Sequence, residues 1–288
     1  MHSKPLPKIL YEEVVRHALL EDLGEGDVTT GACIQDDLRG EAKVVAKEEG
    51  LLAGIFVAQE VFRQVDPLLV FGKVMAEGTA FKEGDILLSI EGRASSILMA
   101  ERVALNFLQR MCGVATLTRE YVRKIKDFEC RIVDTRKTTP GLRMLEKYAV
   151  KVGGGLNHRF CLSDGILIKD NHIAVCGSVS EAIKRARYDA PHTLRIEIEV
   201  ADTEQLIEAI SAGADIVMLD NMSVSELEKA VKIARDIKPD VILEASGGVT
   251  LENVREIAAT GVDVVSSGAL THSYKAIDLS LKLNILSK

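Results

Sequence analysis

RIVDTRKTTPGLR, residues 131–143, and ILIKDN, residues 166–171, are the two stretches that decide the fold. Each begins with a short apolar run of strand length and then changes at once to charged residues. Arg136 and Lys137 follow the first run, and Lys169 follows the second. The whole chain is acidic, with 36 Lys and Arg against 43 Asp and Glu and a formal net charge of -7, so these cations are not background composition. Gathering them costs Coulomb repulsion, which a bound polyanion would remove.

A regular alternation of apolar runs and helical segments continues from these stretches to about residue 268. Six apolar runs have strand length, at residues 132–133, 166–168, 194–198, 216–219, 241–243 and 262–265. Helical patterns separate most of them, at residues 179–187, 203–212, 224–237 and 251–260. Strands that alternate with helices are typical of a parallel α/β sheet or barrel, which is therefore the predicted fold of this region.

Polar residues follow every one of the six predicted strands. In chain order they are Thr135, Arg136 and Lys137; Lys169 and Asp170; Glu199; Asp220 and Asn221; Ser246, Gly247 and Gly248; and Ser267 and Gly268. Since α/β folds bind ligands at the carboxyl ends of their strands, we expect these residues to surround one site. Taken singly, each could be an ordinary helix cap, and the cations alone could be a solvated surface.

Two glycine turns complete this predicted ring. Gly247 and Gly248 precede a helix expected to start near Thr250, and Gly268 repeats the arrangement one strand later. Glycine lets backbone N–H groups approach a phosphate closely, and a helix N-terminus adds partial positive charge. The turns therefore predict a phosphate seat, although two tight loops without a ligand would give the same pattern.

The first part of the chain has a different pattern, with short strands and tight turns. Residues 7–20 fit an amphipathic helix, and EDLGEGDVTT at residues 21–30 indicates a turn that ends it. Strands are predicted at residues 42–46, 68–75 and 86–90, with a helix at residues 54–65. This pattern indicates a small α+β domain. Residues 95–126 are then helical, and Gly113 is expected to break them into two helices.

The tail alternates apolar and polar residues from Ile277 to Ile285, which predicts a strand with one buried face. Because it follows the last predicted barrel strand, we expect it to pair with the sheet of the first domain. The predicted division is an N-terminal domain at residues 1–112, completed by a strand within residues 273–288, and an α/β domain at residues 113–272.

Composition argues against several classes of protein. Trp is absent, aromatic residues make up 4%, and the charge is negative, so a basic stacking surface for nucleic acid is not expected. No apolar stretch approaches bilayer length and the first residues lack the apolar centre of a secretory signal, so we expect a cytoplasmic protein without a membrane partner. Five cysteines without a CxxC pair and six histidines without HExxH spacing give no support for a disulfide scaffold or a zinc site.

Several longer motifs resemble the quinolinate phosphoribosyltransferase family, and they occur in order along almost the whole chain. They are EDLGEGDVTT (21–30), ERVALNFLQRMCGVAT (101–116), DTRKTTPGLR (134–143), GGGLNHRFCLSDGILIKDNH (153–172), EIEV (197–200), MLDNM (218–222), EASGGVT (244–250) and SSGALTHS (266–273). DTRKTTPGLR and the NHR and KDNH segments are the specific ones. The resemblance implies an N-terminal α+β open sandwich domain and an incomplete, six-stranded parallel α/β barrel, assembled as a homodimer.

The reaction implied by the resemblance joins quinolinate to phosphoribosyl pyrophosphate. It releases pyrophosphate and CO₂ and gives nicotinate mononucleotide for the de novo synthesis of NAD. Mg²⁺ would enter with phosphoribosyl pyrophosphate, and no tightly bound organic cofactor is implied.

The resemblance also implies a role for each site residue. The two carboxylates of quinolinate would be held by Arg136, His158, Arg159 and, from the partner subunit, Arg102. The implied catalytic residues are Lys137 and Lys169, which would face the pyrophosphate and the substrate carboxylates, and Glu199 and Asp220, which would position the ribose hydroxyls and Mg²⁺. The remaining substrate-binding residues are Thr135 and the two glycine turns that would hold the 5′-phosphate, Ser246, Gly247, Gly248, Ser267, Gly268 and Ala269.

Three other functions are compatible with parts of the pattern. A paralogue with the same scaffold, such as the pyrophosphorylase-like protein found with molybdenum transport, would use another acceptor. A Schiff-base aldolase could use Lys137 or Lys169 as its amine, although the dense arginines disfavour it. A metabolite-binding protein without activity would release no pyrophosphate when both substrates are mixed.

Overall fold

The structure is a computed structural model that describes residues 4–35 and 37–286, and its first half contains short strands and helices. In chain order these are a 3₁₀ turn at Lys8–Leu10, α1 (Glu12–Leu23), α2 (Val28–Cys33), β1 (Arg39–Ala46), β2 (Gly50–Leu51), α3 (Ile55–Val65), β3 (Val70–Val74), β4 (Ala80–Phe81), β5 (Ile86–Arg93) and α4 (Ala94–Lys124). EDLGEGDVTT is a turn only in its middle part, because residues 21–23 end α1 and Asp27 accepts from the Thr30 N–H at 2.9 Å and so caps α2.

The second half alternates strands and helices, as predicted. Its elements are β6 (Arg131–Val133), α5 (Arg143–Val152), β7 (Ile166–Ile168), α6 (Asp170–Cys176), α7 (Val179–Asp189), β8 (Ile196–Val200), α8 (Thr203–Ser211), β9 (Ile216–Asp220), α9 (Val224–Ile237), β10 (Ile242–Ser246), α10 (Val254–Ala259), β11 (Val264–Ser266), α11 (Ala269–His272) and β12 (Leu279–Ile285). The six predicted strands are confirmed. The expected start of a helix near Thr250 was wrong, because α10 begins four residues later.

The chain divides into two compact units. The first contains the residues up to Leu117, Thr139–Gly154 and the residues from Tyr274, and the second contains Thr118–Thr138 and Gly155–Ser273. Among the helices of the described ranges, none combines the length and the apolar character that crossing a bilayer requires.

A four-stranded antiparallel sheet organises the first unit, with strand order β12-β1-β5-β3. The tail strand pairs with β1 through contacts such as Ala42 with Leu283 and Val44 with Leu281. Ala42, Val44 and Leu88 are buried, so the strands present one apolar face. The buried residues of α3 include Phe62, which is fully buried and contributes on the order of 2 kcal/mol by leaving water.

Gly113 does not break the long helix, and the expectation of two helices was wrong. α4 runs unbroken from Ala94 to Lys124. A Cβ atom at Gly113 would lie 2.4 Å from the carbonyl oxygen of Lys275 and 2.8 Å from the ring of Tyr274. Glycine is therefore required here because the returning chain approaches the helix backbone closely, and its cost to helix stability, about 1 kcal/mol, is tolerated in a packed helix.

A six-stranded parallel sheet forms the second unit, with strand order β6-β11-β10-β9-β8-β7. Its edge strands β6 and β7 are not paired with each other in the described sheet, and Leu156 bridges β6 instead, through Val133. The sheet therefore has the predicted form of an incomplete barrel. All six strands run in the same direction, so their carboxyl ends meet at one edge.

Candidate active site

A cavity of about 840 Å³ opens at the carboxyl ends of the six strands. Every residue that lines it belongs to the second unit. The predicted site residues line this cavity, Asn221 included, except Arg102, which lies exposed on α4 in the first unit, and Asp170 at the start of α6. Arg143 of the cationic stretch begins α5 and is likewise not among the lining residues. Sequence reasoning gave the cavity's other lining residues no role: Leu167, Met218, Glu244, Val249, Thr250, Ser266, His272 and Ser273.

Two arginines face each other on one wall of the cavity. Arg159 is half-buried, and its Nη1 donates to the carbonyl oxygen of Gly165 at 2.8 Å. Its Nε is buried and makes no hydrogen bond within the described part of the chain. Burial, together with the nearby guanidinium of Arg136, lowers the pKa of Arg159, and the carboxylate of Glu197 offsets part of this effect. Two cations held close together form a site for an anion.

The ends of β7, β8 and β9 carry charged and polar groups that already have partners. Lys169 Nζ lies 2.5 Å from Glu199 Oε2, so a lysine and a carboxylate pair across neighbouring strand ends. Asn221 donates from Nδ2 to Asp220 Oδ2 at 2.7 Å. Asn221 has φ +54°, the one positive φ of a residue other than glycine among those described. This strained backbone holds its amide against Asp220.

His158 does not present a free ring nitrogen to the cavity. Its Nδ1 accepts from the Arg159 N–H at 2.8 Å, and its Nε2 lies 3.0 Å from Glu197 Oε2. Its own backbone N–H donates to Asp134 Oδ1 at 2.9 Å, and Asp134 is fully buried. The structure thus places His158 in the site, as predicted, but with both ring nitrogens engaged by the protein.

Glycine is required for a different reason in each of the two turns. Gly247 and Gly248 have φ of +93° and +60°, which side chains rarely adopt, and a Cβ at Gly247 would lie 2.1 Å from Asn221 Oδ1. Gly268 has an ordinary φ of -69°, but a Cβ there would lie 2.8 Å from Lys137 Cδ. The first turn therefore needs glycine for its backbone, and the second needs it so that the Lys137 side chain can cross.

Ser267 lines the cavity but is almost fully buried, and its polar groups bind to the protein. It is 3% exposed, its N–H donates to Val133 O at 3.1 Å, and its hydroxyl donates to Val249 O at 3.4 Å. Ser246, at the end of β10, accepts from the Asn221 N–H at 2.9 Å. These bonds tie the two glycine turns to neighbouring strands.

Two sets of side chains in the second unit could hold a metal ion. The buried set is His158, Glu197 and Glu244, whose ligand atoms lie within 4.8 Å of one another. Glu199 and Asp220 form the other, two half-buried carboxylates at neighbouring strand ends that line the cavity. Both members of the second set line the cavity, and their oxygen donors suit an ion that arrives with a phosphate ligand.

Comparison with known proteins finds one family along the chain. The sequence profile described as "Quinolinate phosphoribosyl transferase, C-terminal domain" matches residues 114–282, and the corresponding N-terminal domain profile matches residues 27–112. The "Probable nicotinate-nucleotide pyrophosphorylase [carboxylating]" of Bacillus subtilis (strain 168) is 46% identical over 274 residues, which cover 95% of this chain and 93% of the relative.

Two further relatives agree with this match. The protein of the same description from Synechocystis sp. is 43% identical over 278 residues, covering 96% of this chain and 94% of the relative. The crystal structure of NadC from Streptococcus pyogenes superposes with a TM-score of 0.94 at 42% identity, covering 99% of this chain and 100% of that chain. The similarity therefore extends over both units.

Proposed function

The chain belongs to the quinolinate phosphoribosyltransferase family, and from that membership we propose its reaction. It transfers the phosphoribosyl group of phosphoribosyl pyrophosphate to quinolinate and releases pyrophosphate and CO₂, giving nicotinate mononucleotide for NAD biosynthesis. The observation that carries the proposal is the pair of guanidinium groups of Arg136 and Arg159, which line one cavity and lie close enough that the charge of Arg136 lowers the pKa of Arg159. A pyridine with two adjacent carboxylates supplies the missing negative charge.

The dicarboxylate binds at the arginine wall of the cavity. Arg159 keeps one Nη on Gly165 O and has its Nε free for a carboxylate oxygen, while Arg136 is exposed and can bind the second carboxylate. A guanidinium suits this task because its planar fork makes two parallel hydrogen bonds with one carboxylate. His158 takes part by fixing the backbone of Arg159 and not by contact from a ring nitrogen.

The phosphates of the second substrate bind on the opposite side, at the glycine turns. Gly247, Gly248 and Ala269 line the cavity, and their N–H groups make no hydrogen bond within the residues that the structure describes. Lys137 crosses Gly268, which places a cation beside these amides. Free backbone N–H groups form a seat for the 5′-phosphate, and Thr135 joins it from the end of β6. The ammonium of Lys137 is available for the pyrophosphate.

The chemistry needs positioning and electrostatics, and no protein nucleophile. As pyrophosphate leaves, C1′ of the ribose becomes oxocarbenium-like, and Lys137 and Lys169 stabilise the negative charge of the leaving group. The ring nitrogen of quinolinate then bonds to C1′ and becomes positively charged. That charge stabilises the carbanion left at C2 when CO₂ departs, and a proton then takes the place of CO₂. The cavity contributes by holding the two substrates in line and excluding water.

Mg²⁺ is the metal that these residues fit, as an ion that enters with phosphoribosyl pyrophosphate. Glu199 and Asp220 would face it from the ends of β8 and β9, and the ion would neutralise part of the pyrophosphate charge. Since Mg²⁺ keeps most of its waters, an indirect contact is sufficient.

We propose that the enzyme is a homodimer in which Arg102 of one subunit reaches the dicarboxylate in the other. An exposed arginine outside its own cavity supports this arrangement. Mixing the Arg102→Ala and Arg136→Ala variants should restore partial activity, because hybrid dimers contain one intact site. Mixing Arg136→Ala with Arg159→Ala is the matched control, since both changes fall in the same site of one subunit. No recovery after confirmed subunit exchange contradicts the shared site.

Two finer assignments complete the proposal. Residues 1–112 and 113–272 act as the two domains, with the tail strand completing the first, and the pairing of β12 with β1 supports this division. The protein works in the cytoplasm, and its five cysteines support this, because all lie in the described ranges and none forms a disulfide.

The test of the reaction is release of CO₂ from carboxyl-labelled quinolinate. Release should require phosphoribosyl pyrophosphate and Mg²⁺ and should fall in Arg136→Ala. Arg185→Ala serves as the control, because Arg185 is exposed on α7 and pairs with Glu181 outside the cavity. Pyrophosphate release without quinolinate turnover would indicate the paralogue with another acceptor. The aldolase is disfavoured because Lys169 is paired with Glu199, whereas a Schiff-base amine must be free and neutral.

A further inference from the structure

A half-buried histidine and two buried glutamates meet next to Arg159 in the sequence and the fold. His158 Nε2 lies 3.0 Å from Glu197 Oε2 on β8 and 3.9 Å from Glu244 Oε1 on β10. The two glutamates are 5% and 4% exposed, and each has one buried carboxylate oxygen without a hydrogen-bond partner among the described residues. Burying two carboxylates beside one imidazole is costly, and replacing such groups by apolar ones is often stabilising. The cluster therefore calls for a functional explanation.

The tautomer of His158 argues against a metal at this cluster. Nδ1 accepts a hydrogen bond from the Arg159 N–H, so Nδ1 carries no proton. The proton of the neutral ring is consequently on Nε2, where it is donated to Glu197. A metal bound at Nε2 would have to displace this proton and leave an imidazolate. The geometry fits a chain of hydrogen bonds instead.

This chain of hydrogen bonds ends at the arginine that faces the substrate. Glu197 accepts from His158 Nε2, and His158 Nδ1 accepts from the backbone N–H of Arg159. The backbone of His158 is fixed from the other side by Asp134. Beyond the backbone, Arg159 has one hydrogen bond of its own side chain to the protein, to Gly165 O, so its direction depends on how firmly its backbone is held.

Glu244 also approaches the imidazole, because its Oε1 lies 3.9 Å from His158 Nε2. Burial and the neighbouring Glu197 raise the pKa of Glu244. His158 and Ser266 are the other groups that face Glu244, and both favour its charged form.

We propose that Glu197 and Glu244 are positioning residues for the acidic substrate, acting on it through the His158 tautomer and the backbone of Arg159. The identity of that substrate rests on the proposed function. Neither glutamate needs to touch quinolinate, because each acts on the direction of the Arg159 guanidinium. The tautomer can be observed whether or not the enzyme turns over quinolinate, so the two proposals can fail separately.

The first test observes the ring nitrogens of His158 directly. Long-range ¹H–¹⁵N spectra of the full chain labelled with ¹⁵N-histidine, with His158 assigned by its absence in His158→Gln, should show an unprotonated Nδ1 and a protonated Nε2. Glu197→Ala should shift the ring toward the other tautomer. A wild-type ring protonated at Nδ1, or a His158 signal unchanged in Glu197→Ala, overturns the proposal. The wild-type spectrum tests the predicted tautomer even if the alanine variant does not fold.

The second test separates the two substrates in steady-state kinetics. Glu197→Ala should raise KM for quinolinate roughly tenfold, as for one lost hydrogen bond to a charged group, with much less change in KM for phosphoribosyl pyrophosphate. Glu197→Gln should restore most of this loss, because an amide oxygen can still accept from Nε2–H. Glu228→Ala, on the exposed face of α9, is the control. Equal rises in both KM values, or no rescue by glutamine, would indicate a merely structural role.

Discussion

The two units of the chain bury charged groups in opposite ways. In the first unit, the fully buried Glu146 accepts from the Arg110 guanidinium at 2.6 Å and from the Thr139 N–H at 3.0 Å, so both of its oxygens have partners. Glu77 is also buried there, and its carboxylate accepts from backbone N–H groups at the start of α3 and from the Tyr148 hydroxyl. These charges are compensated inside the fold.

The second unit leaves part of its buried charge uncompensated. Glu197 and Glu244 each keep a buried oxygen without a partner among the described residues, and so does Arg159 at Nε. Arg159 lies near a second arginine, which lowers its pKa. The difference indicates that a fold tolerates buried charge when it is compensated internally, whereas uncompensated charge at strand ends marks a place where a ligand completes the electrostatics.

Removing Arg110 should have the largest effect, because it breaks the compensation in the first unit. Arg110→Ala leaves the buried carboxylate of Glu146 without its cation, which costs about 3–5 kcal/mol of unfolding free energy. Urea unfolding measures this loss. Arg123→Ala, an exposed arginine on the same helix, is the matched control. If Arg110→Ala loses no more unfolding free energy than the control, the claim that Arg110 compensates the buried charge of Glu146 is wrong.

Glu244 gives the second unit a stability that depends on pH. Its pKa is raised from 4.5 to about 7 in the folded state, so between these values the folded chain binds more protons than the unfolded chain. The stability that Glu244 contributes is therefore complete below about pH 4.5 and is lost as pH rises through about 7.

Replacing Glu244 by glutamine isolates the pH-dependent contribution of this residue to stability. From pH 4.5 to 8, the stability of the wild type relative to Glu244→Gln should fall by on the order of 3 kcal/mol, because glutamine does not titrate. Chemical denaturation at several pH values measures the difference. Parallel curves for the two proteins would show that the fold does not raise the pKa of Glu244.

The arginine wall should affect binding more than folding. Arg159→Ala or Arg136→Ala should weaken quinolinate binding tenfold to a hundredfold, about 1.5–3 kcal/mol, because a charged hydrogen bond is lost. Calorimetric titration measures this, with the exposed Arg185→Ala as control. Unchanged affinity in both variants would remove these arginines from the substrate site.

The smallest effect is expected where the second unit has free space. A Cβ at Gly248 would meet no atom within 4 Å, so Gly248→Ala costs only the strain of its φ of +60°, about 1–2 kcal/mol. Gly247→Ala adds a clash with Asn221 and should cost more. Thermal unfolding measures the loss of stability in each variant. Equal losses would show that the Asn221 side chain can move away from the added methyl group without a cost in free energy.

Much of the fold followed from local pattern in the sequence. The six strands of the second unit were predictable because β-branched apolar runs alternate with helical segments, and α9 was predicted with its observed bounds. Four helices were not predicted: α2, α5, α6 and α11. α5 lies in the cationic stretch, although Leu145, Tyr148 and Ala149 have the spacing of a buried helical face. The continuity of α4 through Gly113 depends on a chain segment 160 residues away, which no local pattern contains.

The site was predictable where charge follows a strand and not where it lies inside one. Arg136, Lys169 and Glu199 all come at strand ends, but Glu197 and Glu244 lie within apolar runs. Strand periodicity contained the missing signal, because Glu197 is two residues before Glu199 and Glu244 two residues before Ser246, on the same faces of their strands. What a pattern cannot supply is the partner of each charge, which is set by neighbouring strands.

The central claim is that the charge left uncompensated in the second unit is completed by the acidic substrate. Its most direct measurement is the unfolding free energy of wild type and Arg159→Ala, each without and with saturating quinolinate. Without ligand, the account predicts that Arg159→Ala is at least as stable as wild type. At a concentration of 100 times Kd, quinolinate should stabilise wild type by about 2.7 kcal/mol and the variant much less. A variant that loses several kcal/mol without ligand, or that gains as much from quinolinate as wild type does, would contradict it.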